Sequence, residues 1–274
     1  MGSFSLLYNI PALTAENQIN TNQANLQNSL TQLSSGQRIN SGADDPAGLS
    51  IANGLHANEL ALNQSVQNAN TGIGLLQIAD GALSQINNIL NSAITLATEA
   101  SNGTESSTQS AALNNEFQQL MQEVDSIGSN TTYNGNAIFT AATTTIFMSD
   151  GTAAGVDTVG VTTGALSSST LSLSTSSLTT TTTAQAALTA VSAAINTVDT
   201  SRGTIGASID RLQNASNVMN QQVQNVTAAE NGIMAANIPQ VVGHLSQQQI
   251  LAQTGISALS QANSTQQLVL KLLQ

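Results

Sequence analysis

The sequence predicts a mainly α-helical protein: a long, antiparallel, coiled-coil-like bundle with paired N- and C-terminal helices and a small β element between them. Three observations carry this. Apolar residues recur at alternating intervals of three and four over most of the chain, the mark of helices with one apolar seam. The pattern lapses between Thr140 and Thr183, where Thr, Ser, Gly, Ala and Val take over. Only 7% of the 274 residues are charged and 2% are aromatic, while 29 Asn and 27 Gln supply a surface of neutral amides.

Each element follows in order. Ser5 to Leu33 and His244 to Leu273 are terminal helical segments of roughly 30 residues, with no partner except each other or neighbouring molecules. A single helical pair buries too little to be stable alone, so their apolar faces are expected to pack between molecules. Asp45 before Pro46 reads as an N-cap followed by proline at the first helical position, where its missing N–H costs nothing. From there Leu55, Leu62, Ala69, Leu76, Leu83, Leu90 and Ala97 form a seven-residue repeat. A helix from Pro46 to about Thr98 would extend on the order of 80 Å. Asn102-Gly103 breaks it.

The next helix carries Leu113, Phe117, Leu120, Val124 and Ile127 and is expected to end at Gly128, before a turn at Tyr133-Asn134-Gly135. Thr144 to Ser149 and Val156 to Thr162 read as strands around Asp150-Gly151. The strongest periodicity runs from Leu188 to Ile233, and Pro239 is expected to stop or kink that helix. The expected domains are residues 1–42 with 236–274, residues 43–139 with 184–235, and a Ser/Thr-rich β segment at 140–183.

Composition excludes several functions. Four Lys and Arg against 15 Asp and Glu leave a net charge of −11, which cannot neutralise a run of phosphates or hold a polybasic contact with membrane. No apolar run reaches the roughly 18 residues of a spanning helix, and Met1 to Ala12 lacks the pattern of a secretory signal. Zero cysteines remove disulfides, thiolate metal sites and cysteine nucleophiles. His56 and His244 have no histidine at helical spacing and read as polar surface or seam residues. Asp44-Asp45 reads as capping, and Glu123 and Asp125 as a solvated helical face. No nucleophile elbow, phosphate loop or cofactor motif occurs, so no enzyme activity, metal or cofactor is expected. What remains is surface suited to self-association.

The residues then point to a family. Leu33 to Ser41 (Leu-Ser-Ser-Gly-Gln-Arg-Ile-Asn-Ser), Asp44-Asp45-Pro46-Ala47-Gly48, Ile51-Ala52-Asn53, Asn68 to Ile73, Glu116 and Tyr133-Asn134-Gly135 closely resemble the N-terminal signature of bacterial flagellin. Ile250 to Gly255, Gln261-Ala262-Asn263 and Leu270 to Leu273 resemble its C-terminus. The resemblance implies a structural subunit of the flagellar filament, a helical homopolymer that transmits motor rotation. The runner-up is a hook–filament junction protein with similar termini. An inserted metalloprotease is disfavoured, since residues 140–183 contain no histidine. The resemblance further implies an extracellular location, export by the flagellar type III apparatus, a chaperone at the C-terminal helix, and cap and hook-junction proteins as partners.

Within that frame, Leu26, Leu30, Leu33, Arg38, Ile250, Leu251, Ile256, Leu259, Leu268 and Leu272 are the expected subunit-packing residues. Arg38, the only basic residue before Arg202, is expected to stabilise a joint or contact a neighbour. The family's O-glycosylation places candidates at Ser167, Ser168, Ser169, Thr179, Thr180 and Thr181. In flagellins sensed by the vertebrate Toll-like receptor, an arginine on the long helix makes a central contact; here alignment puts Ser92 in its place, with Leu96 and Glu116 matching its supporting residues.

Overall fold

The computed structural model describes residues 9–149 and 158–272, with side chains only as far as 268. In chain order the elements are α1 (Ile10–Ser35), α2 (Pro46–Ala100), α3 (Ser107–Asn130), β1 (Thr132–Tyr133), β2 (Asn136–Ala137), β3 (Thr144–Phe147), β4 (Thr158–Val161), α4 (Thr181–Met234) and α5 (Ile238–Leu272). The chain forms two compact units, residues 1–57 with 226–274 and residues 58–225. Both long helices, α2 and α4, contribute to each.

In the first unit α1 lies antiparallel to α5. Asn9 Nδ2 donates to Gln266 Oε1 at 3.0 Å, Asn22 Nδ2 to the Gln248 carbonyl at 2.7 Å, and Gln37 bridges to Ala235. Asn9 caps α1 by accepting from the Ala12 amide at 3.1 Å, with Pro11 in the first turn. Asn237 repeats the device at α5, accepting from the Gln240 amide at 3.4 Å ahead of Pro239. Here the sequence expectation needs correction. The last helix begins at Ile238, not His244, and Pro239 opens α5 because a first-turn residue has no intrahelical N–H to lose. The break that proline imposes falls just upstream, after Met234.

The second unit holds the main core. Of the seven-residue repeat read from the sequence, the first member, Leu55, is only half-buried, while Leu62, Ala69, Leu76, Leu83, Leu90 and Ala97 are each at most 2% exposed. Phe117 and Val124 of α3, Val191, Val198 and Leu212 of α4, and Leu173 and Leu178 of the α4 approach are equally enclosed. Burying each large side chain contributes about 1.5–3 kcal/mol, so the repeat accounts for much of what holds α2 in place. Polar links fix α2 against α4. Arg202 forks onto Asp80 at 2.8 and 3.3 Å, and Asn87 Nδ2 donates to Asp199 at 2.7 Å. The hydrogen bonds to Asp80 raise the Arg202 pKa above its ordinary value, and the same fork pairs the one charge at this half-buried position of the α4 seam.

Asn134 and Gly135, at φ 50° and 79°, make the tight turn joining β1 to β2. Strand β3 pairs antiparallel with β4, Thr144 opposite Val161 and Phe147 opposite Thr158. Ser65 on α2 pins that hairpin by donating to the Ser149 carbonyl at 2.9 Å and accepting from its amide at 3.1 Å. The Asp150-Gly151 turn and Val156 lie outside the described residues. Helix α3 runs two residues past Gly128, which is a packing position instead of a terminus: a Cβ there would overlap the Leu166 carbonyl oxygen. Helix α4 starts at Thr181, inside the stretch assigned to the β segment, because Thr180 and Thr183 cap it reciprocally through backbone and hydroxyl bonds at 3.0 and 3.2 Å.

Candidate functional site

The α1–α5 pair turns an unusual face outward. Ile19, Asn22, Leu26, Ser29 and Leu33 share one stripe of α1, and within it Asn22 and Ser29 are buried while the three apolar residues are half-buried. On α5 the matching stripe contains Gln248, Ala252, Gly255 and Leu259. Gly255 permits the approach, since a Cβ there would come within 2.9 Å of Ile19 Cγ1. Other large apolar residues of the pair are left in water: Ile10 is 60% exposed, Ile250 63%, Ile256 61% and Leu268 59%. Amides, small residues and the half-buried Ile19, Leu26, Leu33 and Leu259 hold the pair together, and further apolar surface stays exposed.

The structure therefore divides the expected packing residues. Leu26, Leu33 and Leu259 lie half-buried in the stripe shared by the two helices. Leu30, Ile250, Leu251, Ile256 and Leu268 are exposed. The Leu272 side chain lies outside the described residues. Asn22 and Ser29 escaped the sequence reading because they are polar. The signal was their seven-residue spacing in register with Leu26 and Leu33, and a buried Asn in such a seam fixes which partner residues face it.

Arg38 sits just past the end of α1, beside the junction of α4 and α5. Gly36 ends α1 in the left-handed conformation at φ 70°, its amide reaching the Gln32 carbonyl. The Arg38 amide then donates to the Met234 carbonyl at 2.6 Å, and its guanidinium to the Ile233 carbonyl at 2.9 Å. Its second contact, to Asp45 at 3.8 Å, is an exposed ion pair and contributes little. Ile39 beside it is 1% exposed. His56 Nδ1 approaches Glu230 Oε1 at 3.6 Å in the same unit.

Asp44 orders the following loop. It accepts from the Asn40 and Ser41 amides at 3.0 and 2.8 Å and from the Ser41 hydroxyl at 3.0 Å. Those bonds, the Asn40 amide first, hold its carboxyl below the ordinary aspartate range. A depressed pKa contributes stability above the unfolded value, lost as pH falls through the folded one. Replacing Asp44 with Ala is accordingly expected to speed hydrogen exchange at the Asn40 and Ser41 amides at pH 7. The difference from wild type should vanish in acid, below the folded pKa; a difference that persisted there would refute the linkage.

Asp125 does not face open solvent as the sequence implied. It accepts from the Ser168 amide at 2.7 Å and hydroxyl at 2.8 Å, tying the Ser167–Thr170 turn to α3. Among the glycosylation candidates, Ser168 is therefore buried and engaged, Ser167 half-buried, and Ser169, Thr179, Thr180 and Thr181 exposed. Ser92 is exposed, its hydroxyl turned back onto the Asn88 carbonyl at 3.2 Å; Leu96 is half-buried and Glu116 exposed. Among the described residues no helix is long and apolar enough to cross a membrane.

Comparison with known proteins matches this architecture at both ends. The bacterial flagellin N-terminal helical region matches residues 6–144 and the bacterial flagellin C-terminal helical region residues 188–273. A flagellin of Halalkalibacterium halodurans is 32% identical over 97% of this chain and 98% of its own. The phase 1 flagellin of Salmonella naestved is 40% identical over 45% of this chain, which spans a quarter of that longer protein. The crystal structure of Bacillus cereus flagellin superposes with a TM-score of 0.50 at 30% identity, covering 60% of this chain and 94% of that one.

Proposed function

We propose, because this chain belongs to the bacterial flagellin family, that the exposed Leu and Ile side chains of α1 and α5 are the surface through which identical copies pack. The chain is a structural subunit of the flagellar filament, polymerising outside the cell into a helical tube that serves motility, and it is not an enzyme. The carrying observation is the inversion in the first unit, with Asn22 and Ser29 buried while Ile10, Ile250, Ile256 and Leu268 stand in water. Large apolar side chains left exposed along both paired helices give a second copy surface to pack on. Electron microscopy after seeding purified protein provides the test: long helical tubes are expected, and none forming would refute the reading. The hook–filament junction alternative predicts short or no polymers; the match over nearly the whole of the Halalkalibacterium flagellin favours the filament.

Finer elements belong to the same proposal. The inner domain is residues 1–42 with 236–274, a division supported by the paired break at Gln37 and Ala235; residues 43–139 with 184–235 form the bundle domain and 140–183 its β segment. Export runs through the flagellar type III apparatus with a chaperone on α5, and cap and hook-junction proteins bound the polymer. O-linked sugars are proposed at Ser169, Thr179, Thr180 and Thr181, whose residues are exposed; an intact mass equal to the sequence mass would remove them.

Weak activation of the flagellin-sensing Toll-like receptor completes the set. A serine lacks the planar fork and long stem of an arginine anchor, whose loss at an interface centre typically costs about 2 kcal/mol or more. A reporter-cell assay should show low potency for wild type and a gain with Ser92→Arg. Full potency unchanged by the substitution would show that the transferred contact is wrong.

A further inference from the structure

The unit of residues 58–225 carries a cleft of about 470 Å³ beside the β3–β4 hairpin and α4. Its floor is apolar, formed by the buried Leu62, Met148, Val159 and Met219, and Val218, 58% exposed, continues that surface outward. Arg211 stands at the rim. The chain has only four basic residues. Arg38 and Arg202 are engaged as described, and the Lys271 side chain lies outside the described residues. Arg211 is exposed and, among the described residues, makes no hydrogen bond or ion pair.

An unpaired cation over an apolar floor fits an apolar side chain carried next to a carboxylate. We propose that this cleft receives such an acidic, apolar-tipped segment from a second copy of the chain, an inference that rests on the filament reading. Charge complementarity selects that occupant. In a homopolymer every neighbour presents 15 carboxylates against four basic groups, so an isolated cation meets an excess of anions on any adjoining copy. Arginine suits the role, because its weakly hydrated planar fork loses less on leaving water than a lysine ammonium does. The thioethers of Met148 and Met219 supply a floor that adapts to the incoming side chain. In the free subunit Arg211 stays solvated at no cost, so the pairing draws its partner only on assembly.

The absence of cysteine makes the test direct, since Arg211→Cys introduces a unique thiol. A soluble maleimide is expected to label it rapidly in monomers and about tenfold or more slowly in filaments, as interface cores exclude solvent. Arg211→Glu should raise the critical concentration for assembly about fivefold or more, with Arg211→Lys intermediate. Monomer melting should be unchanged in all three variants, which separates an assembly defect from a folding one. Equal labelling in monomer and filament would overturn the proposal, as would normal assembly of Arg211→Glu. A small acid co-purifying with wild type but not with Arg211→Glu, seen by native mass spectrometry, would overturn it in favour of a small-molecule ligand. Wild-type protein that forms no tubes at all would instead refute the filament reading, and this inference with it.

Discussion

Chains cut after Gly243 are expected to form no tubes at concentrations where the full chain assembles completely. The cut removes most of α5, and with it the exposed Ile250, Leu251, Ile256 and Leu268. It also takes away the carbonyl that Asn22 meets at Gln248 and the amide group that Asn9 meets at Gln266. Helix α1, 26 residues long, is then a single helix without a partner, and such helices are marginal in water. The unit of residues 58–225 keeps its own core, so its unfolding free energy should move by less than about 0.5 kcal/mol. Sedimentation and electron microscopy read the first effect, and circular dichroism melting the second. Normal tubes from the shortened chain would show that the terminal pair is not the assembly surface.

Gly128→Ala should destabilise the folded subunit by about 1–3 kcal/mol, although glycine-to-alanine within a helix ordinarily helps. The reason is the neighbour. At Gly128 an added Cβ would sit on the Leu166 carbonyl oxygen, a backbone atom held by the Ser167–Thr170 turn that Asp125 anchors. Backbone cannot rotate away as a side chain would. Gly81 on α2 is the control, since a Cβ there meets nothing within 4 Å and Ala should stabilise by about 0.4–1 kcal/mol. Denaturant melts of the two monomers are expected to shift in opposite directions. Shifts of the same sign would show that the α3 packing at Gly128 is looser than described.

The sequence disclosed whatever depends on period. From Leu62 to Ala97 the heptad is buried at every position, with only Leu55 at its start half-buried, because an apolar side chain every seven residues leaves a helix only one face to bury. The β3–β4 hairpin was legible from its β-branched runs, and the α2 start from Asp45-Pro46. What escaped depends on partners distant in the chain. Asn22 reads as a surface amide until α5 is laid against it, and Asp125 as a solvated acid until Ser168, 43 residues away, arrives. Pro239 reads from the sequence as a stop or a kink, because its role in opening Ile238–Leu272 depends on Asn237 capping, the same Asn-Ile-Pro signal that opens α1 at Asn9. For the proposed assembly surface, residue type is visible in the sequence but direction is not. The list of terminal leucines and isoleucines contained both those shared by the two helices and those facing water, and only the geometry sorts them.

The break shared by Gln37 and Ala235 has a mechanical consequence. Along α1 and α5, tension or torque passes through successive rungs of i to i−4 hydrogen bonds, many in series and each backed by its neighbours. At the break both ladders stop on the same level. The backbone bonds crossing there are the Arg38 amide to Met234 and the Ala236 amide to Gly36, at 2.6 and 3.0 Å. The Arg38 guanidinium on Ile233 adds a third strut. Compliance in a chain of springs is set by its softest member. Under load this short paired stretch is where strain concentrates, so it acts as the elastic element of the terminal pair and, when overloaded, as the place where that pair yields first.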